Sequence, residues 1–104
     1  MTVIKPTVGR VVLFVPKTGK YEFGYCFVAN REHAAIVTAV HGDRCVNLAA
    51  FDANGKTYGF TSVTLRQPGD ADEAYAGGDY CKWMEYQIGQ AAKTEAAEKL
   101  LAAK

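Results

Sequence analysis

The chain has 104 residues, of which 49% are hydrophobic and 22% charged, with a formal net charge of +1. That length and balance fit one globular domain and argue against disorder over most of the chain. No apolar run approaches the roughly 20 residues of a membrane helix. The first residues, MTVIKPT, lack a basic start followed by an apolar block, so no signal peptide is expected and a cytosolic setting is. The cysteines, Cys26, Cys45 and Cys81, are odd in number and have no short spacing. They read as free thiols rather than a disulfide framework.

The small net charge conceals an asymmetry. Residues 1–66 carry eight basic against four acidic side chains, whereas residues 67–88 set only Lys82 against Asp70, Asp72, Glu73, Asp79 and Glu85. Either each segment solvates its own face, or the acidic segment packs over the basic one, or the basic face meets an anion.

In chain order, residues 8–15 (VGRVVLFV) are rich in β-branched residues and predict a first strand, which Pro16 stops. Residues 17–33 are harder to read. Tyr21, Phe23, Tyr25 and Phe27 recur at spacing two, the period of a strand with one aromatic face, so this stretch is a hairpin arm or a long loop that packs its aromatics down. Residues 34–41 predict the next strand. Gly42-Asp43 then fits a two-residue type II′ turn, which would set His41 opposite Arg44. Residues 44–51 follow as the antiparallel partner. Asn54-Gly55 predicts a turn with positive φ at both central residues. Residues 57–66 predict a further strand, with Phe60, Ser62 and Thr64 on one face and Thr61, Val63 and Leu65 on the other.

Residues 67–79, with Pro68-Gly69, four acids and Gly77-Gly78, read as a surface loop. Residues 79–84 can form a short closing strand. Strands at this spacing predict an all-β domain, either a small SH3-like five-stranded barrel or a compact antiparallel meander. From about residue 88 or 90 the alanine-rich tail predicts a helix, with Glu95 and Lys99 as an i,i+4 pair. The expected organisation is a β-barrel domain over residues 1–87 and a helical tail over 88–104. An isolated helix this short is marginal in water, so it must dock on its own barrel, dock on a neighbouring subunit or fray.

The chemistry-bearing residues form no familiar catalytic set. There is no Cys-x-x-Cys or His-x-x-x-His for a metal, no Gly-x-x-x-x-Gly-Lys for phosphate and no Gly-x-Ser-x-Gly elbow. Ser62, His41 and Asp43 make at best an imagined triad, since Ser62 falls inside a strand. No enzymatic activity, metal or cofactor is expected. Polymeric nucleic acid would find aromatics and cations here, but the modest basic charge and the acidic segment work against it. A small anionic ligand suits the charge better, with arginines for phosphate and an aromatic face for a base.

Five pieces of the sequence together resemble a family of small, mostly uncharacterised proteins of tailed bacteriophages. They are Val8-Gly9-Arg10-Val11-Val12; Ala34-Ala35-Ile36-Val37-Thr38-Ala39-Val40; Cys45-Val46-Asn47-Leu48 with Phe51-Asp52; Thr61-Ser62-Val63; and Gly78-Asp79-Tyr80-Cys81-Lys82-Trp83-Met84. The tail beyond residue 90 is not part of the pattern. The resemblance implies a phage accessory protein acting in the host cytoplasm. Under that reading the expected function is non-enzymatic: a homo-oligomeric sponge that sequesters a small nucleotide-derived immune signal of the host. The expected ligand contacts are Arg10, Arg44, Tyr58, Ser62, Arg66 and Trp83. The alternatives are a structural or assembly protein of the virion, and a single-stranded nucleic-acid-binding module.

Overall fold

The computed structural model describes residues 3–71 and 78–102. Five strands close a barrel in chain order: β1 (Val11–Val15), β2 (His33–Gly42), β3 (Cys45–Phe51), β4 (Thr57–Arg66) and β5 (Tyr80–Lys82). Of the two predicted architectures, the closed barrel is the one present, and a C-terminal helix α1 (Glu85–Ala102) follows it. Successive strands pair antiparallel, but β5 returns antiparallel to β1 and parallel to β4. An odd number of strands cannot alternate direction all the way round, so closure requires one parallel seam. A purely antiparallel meander is thereby excluded.

Alternation along the strands turns Val12, Phe14, Ala35, Val37, Val46, Leu48, Ala50, Val63, Leu65 and Cys81 into one core, with Phe27 and Trp83 completing it. The last inward position of the core, Cys81, lies in apolar surroundings. Burial, with a smaller contribution from nearby Cys45, pushes its thiol up to about 12. A thiol in that state is a small apolar side chain and a poor nucleophile at neutral pH.

Several local expectations change. β1 starts at Val11 rather than residue 8, because Gly9 turns the chain with φ +95° before the strand begins. The turn between β2 and β3 is shifted by one residue. Gly42 pairs with Cys45, so Asp43 and Arg44 are the turn residues, and Gly42 does not take the positive φ a type II′ turn needs. His41 therefore does not face Arg44.

The β3–β4 connection is also different from a two-residue Asn-Gly turn. Gly55 N–H donates to Asp52 O (3.0 Å), Asp52 N–H donates to Lys56 O (2.9 Å), and only Gly55 takes positive φ (+84°). This is a type I turn followed by a left-handed glycine, the three-residue hairpin loop. Asp52 organises it. Its carboxylate accepts the N–H groups of Asn54, Lys56 and, across the molecule, Cys26 (2.8–2.9 Å).

The faces of β4 are rearranged by a bulge. Val46 pairs with Val63 and Leu48 with Phe60, so Asn47 alone stands opposite Thr61 and Ser62. Ser62 takes φ +52°, and its N–H is held by Asn47 Oδ1 at 2.8 Å. The extra residue brings Phe60 to the inner side with Val63 and Leu65. There its ring stacks on Phe14, with centroids 4.5 Å apart. A strict period of two would have placed it outside.

Helix α1 begins at Glu85, earlier than the predicted residue 88. Gln87 explains this. Its Oε1 accepts the N–H of Met84 (2.8 Å), as a side chain at the third helical position does in a capping box, and its Nε2 donates to Val11 O (2.9 Å). The helix is thus fixed at its first turn. Ile88 and Ala91 lie against the core, but no helical residue is fully buried, and the helix draws the molecule out to 58 × 28 × 22 Å.

Candidate functional site

The longest connection between consecutive strands is residues 16–32, between β1 and β2. It is a hairpin-like arm, closed by the pair Lys20–Phe27 and tipped by one turn of 3₁₀ helix, Glu22–Gly24. The predicted single aromatic face does not survive this turn. Phe27 is in the core and Tyr25 packs partly on it, whereas Tyr21 and Phe23 remain 58% and 84% exposed. Phe23 is held at φ +56°, a conformation that costs a residue with a bulky side chain about 1–2 kcal/mol. A Cβ at Gly19 would lie 2.4 Å from the Tyr21 ring, so any larger residue there would have to push that exposed ring aside.

Two anchors hold the arm. At Cys26, its N–H donates to Asp52 and its carbonyl accepts the N–H of Ala53 (3.0 Å), tying the arm to the β3–β4 loop. Burial opposes the charge on Asp52, but the three backbone N–H groups, helped by Lys56, outweigh it and hold the carboxyl below its ordinary range. Farther along, Val28 N–H donates to His33 Nε2 (3.2 Å), and among the described residues the buried His33 Nδ1 has no partner.

Between the arm and β4 lies a cleft of about 570 Å³, lined by Gly19, Lys20, Tyr21, Glu22, Phe23 and Tyr25 on one side and by Tyr58, Gly59, Phe60 and Thr61 on the other. Its floor is a set of rings already in contact. Tyr25 meets Tyr58 edge-on at 5.1 Å, and Tyr58 tilts on Phe60 at 4.9 Å. Exposed rings at the mouth of a packed aromatic floor are suited to stacking on a planar ligand.

The cations of the cleft are committed. Lys20 is paired with Asp79 (3.0 Å). Lys56 Nζ donates to Phe23 O (2.6 Å) and sits 4.4 Å from the Tyr25 ring centroid. With Glu22, the formal charges around the cleft cancel.

The six residues expected to bind ligand are not brought together. Tyr58, 45% exposed, lines this cleft. Ser62 lies just beyond it, on the bulge. The others belong to a second cluster, in which Arg10 and Arg44 stay exposed but the polar groups around Gln67 are paired with one another. Gln67 is buried and links four groups: its Oε1 accepts from Ile4 N–H (3.0 Å) and the Trp83 indole (3.3 Å), and its Nε2 donates to Ile4 O (2.9 Å) and Asp43 O (2.6 Å). Asp70 accepts Gln67 N–H (2.9 Å) and binds Arg44 in a two-pronged ion pair (3.0 and 3.1 Å), while Arg66 donates to Asp70 O. Arg10 lies over Trp83, 5.8 Å from its ring centroid. Trp83 is only 2% exposed and offers no free face to a ligand. The arginines thus hold the barrel's loops and first core layer, as the acidic segment's opposite charge would have it. The part of that segment at residues 72–77 lies outside the described residues.

Phe23, Tyr21 and Gly59 line the cleft and were not among the expected contacts. The available signal was the run Gly19–Gly24, two glycines bracketing aromatics, which fits an ordered turn better than a strand. His41 and Ser62 both touch Asn47, His41 Nε2 at 3.0 Å from Asn47 Oδ1, but this is a bulge support rather than a nucleophile and base. Among the described residues no group of three or more potential metal ligands converges, and no helix is long and apolar enough to cross a membrane. No family model, curated protein or solved structure matches the chain.

Proposed function

We propose that this protein is a non-enzymatic binding module whose working site is the aromatic cleft, and that its ligand is a small nucleotide-derived molecule taken up by ring stacking. The observation that carries the reading is the exposed Phe23 ring, held in an unfavourable backbone conformation opposite Tyr58 on a rigid aromatic floor. A bulky residue kept in that geometry and in solvent is a cost that packing does not explain. One further point supports it: the cleft is fixed on both sides, by β4 on one and by the arm, anchored through Asp52, on the other. The resemblance to small phage proteins supplies the setting, an accessory protein in the host cytoplasm that sequesters an immune signal as a homo-oligomer.

The test is thermal shift with cyclic di- and trinucleotides, cyclic ADP-ribose isomers and their parent nucleosides, on the wild type and Phe23→Ala. Stabilisation of the wild type by at least one of them, lost in the variant, is the expected result. No shift with any compound overturns the reading.

A second reading, a virion structural or assembly protein, is favoured by α1. Eighteen residues of helix with none buried leave most of the helix surface available to a neighbouring copy. Mass spectrometry of purified particles would then find this chain at many copies, and a native mass would be that of a closed oligomer.

A further inference from the structure

The cleft offers more than ring faces, because one edge of β4 runs along it. In an antiparallel pair, alternate residues exchange hydrogen bonds with the partner strand, and those between turn their N–H and C=O the other way. The β3–β4 loop sets the phase here. Asp52 N–H donates to Lys56 O, so two residues further on Tyr58 pairs with Ala50, and two more on Phe60 pairs with Leu48, as the exchanging partners. Thr57 and Gly59 therefore direct their backbone groups away from β3. The arm confirms the direction: Tyr25 Oη donates to Thr57 O at 2.9 Å. β5 pairs with β4 only at Thr64, Leu65 and Arg66, and leaves this part of the edge uncovered.

Gly59 thus presents an N–H and a C=O, side by side, toward the cleft, and among the described residues neither finds a partner. The open stretch is short. Tyr25 takes the edge at Thr57, and the bulge at Thr61 and Ser62, whose N–H is bound to Asn47, ends it on the other side. Adding a peptide strand needs several consecutive open residues. A planar heterocycle needs only one adjacent donor–acceptor pair and a face to stack on. Glycine suits this role, since nothing stands within 4 Å of the place a Cβ would occupy and the ligand can approach the backbone closely.

We propose, resting on the aromatic cleft as the binding site, that the Gly59 backbone reads the edge of an amino-substituted heterocycle, and that the cleft recognises the base rather than the phosphates of its ligand. An adenine-type edge carries an amino donor beside a ring-nitrogen acceptor, the complement of one residue's C=O and N–H. The charges of Lys20, Glu22, Lys56 and Asp79 cancel around the site, and both lysines are already engaged. A phosphate therefore gains only what a screened surface charge provides.

Amide hydrogen exchange followed by NMR, with adenosine as the probe, tests this on the full chain. Saturation with adenosine should slow exchange of the Gly59 amide by about tenfold or more, while the ladder amides of Tyr58 and Phe60 stay protected throughout. AMP and cyclic di-AMP should bind within about threefold of adenosine. Purine riboside, which lacks the amino donor, should bind roughly fivefold more weakly.

If Phe23 and Tyr58 signals shift but exchange at Gly59 is unchanged, the edge is not read and the inference fails while the cleft stands. If the phosphates raise affinity tenfold or more, recognition of the base over the phosphate fails. If no cleft signal moves with any probe, the proposed function fails with it.

Discussion

The Gln67 cluster and the aromatic cleft are built from similar residue types and differ in what is left over. Around Gln67, arginines, an aspartate, an indole and backbone groups satisfy one another within about 3.4 Å, and the Trp83 ring is sealed. Around the cleft, the cations are also engaged, but aromatic rings and one stretch of strand edge remain open. The first arrangement has the character of an internal brace, and the second leaves rings and strand edge open to solvent. Charge alone pointed to the arginines. Satisfaction of partners points to the rings.

The strongest way to break the comparison is at the brace. Gln67→Ala leaves Ile4 N–H and C=O, Asp43 O and the Trp83 indole without their common partner. Several buried groups stranded at once, with a cavity added, should cost roughly 3–5 kcal/mol, measured by urea denaturation. A loss under 1 kcal/mol would mean that water replaces Gln67 and the cluster is not a brace.

The next effect joins the two regions. Asp52 accepts N–H groups from its own loop and from Cys26 in the arm, so Asp52→Ala should release the arm. Melting should fall by roughly 5–10 °C, and any cleft ligand should be lost with it. Because the carboxyl is held below its ordinary range, its stabilisation is complete above the unfolded-state pKa. It drains away as pH falls through the lower, folded value. Wild-type stability should therefore decline on acidification below about pH 4 more steeply than that of Asp52→Asn, as read from unfolding curves at stepped pH. Parallel curves would contradict the clamp.

The smallest expected stability effect has an opposite sign. Phe23→Gly removes an exposed ring and relieves a left-handed backbone, so it should stabilise the fold by about 1 kcal/mol while abolishing ligand binding. A destabilised Phe23→Gly would show that the ring is part of the packing after all.

Much of the barrel was legible because its strands obey simple alternation: β3 alternates half-buried and buried residues from end to end. The failures share a cause. At 21–27 the aromatics keep period two in sequence, yet a 3₁₀ turn breaks the period in space. At Phe60 the face is reversed by a one-residue bulge, where Asn47 holds Ser62, fifteen positions later. At Gly42 the turn slipped by one, leaving its glycine in the ladder. Each depends on a contact between segments distant in sequence, which local propensity does not contain. The cleft was hard to read for the same reason. Arg44 and Arg66 read as free cations until Asp70 is folded against them, and Gly59 reads as a weak strand residue until the edge beside it is seen to be open.

Chemical-shift mapping decides which of the two regions receives a ligand. A ¹⁵N-labelled sample titrated with the nucleoside or nucleotide that stabilises it most in the thermal screen should show changes concentrated at Phe23, Tyr58 and Gly59, with the Trp83 indole resonance unmoved. Changes centred on the Trp83 indole, Arg44 and Arg66, with the cleft silent, would contradict it and return the site to the arginines.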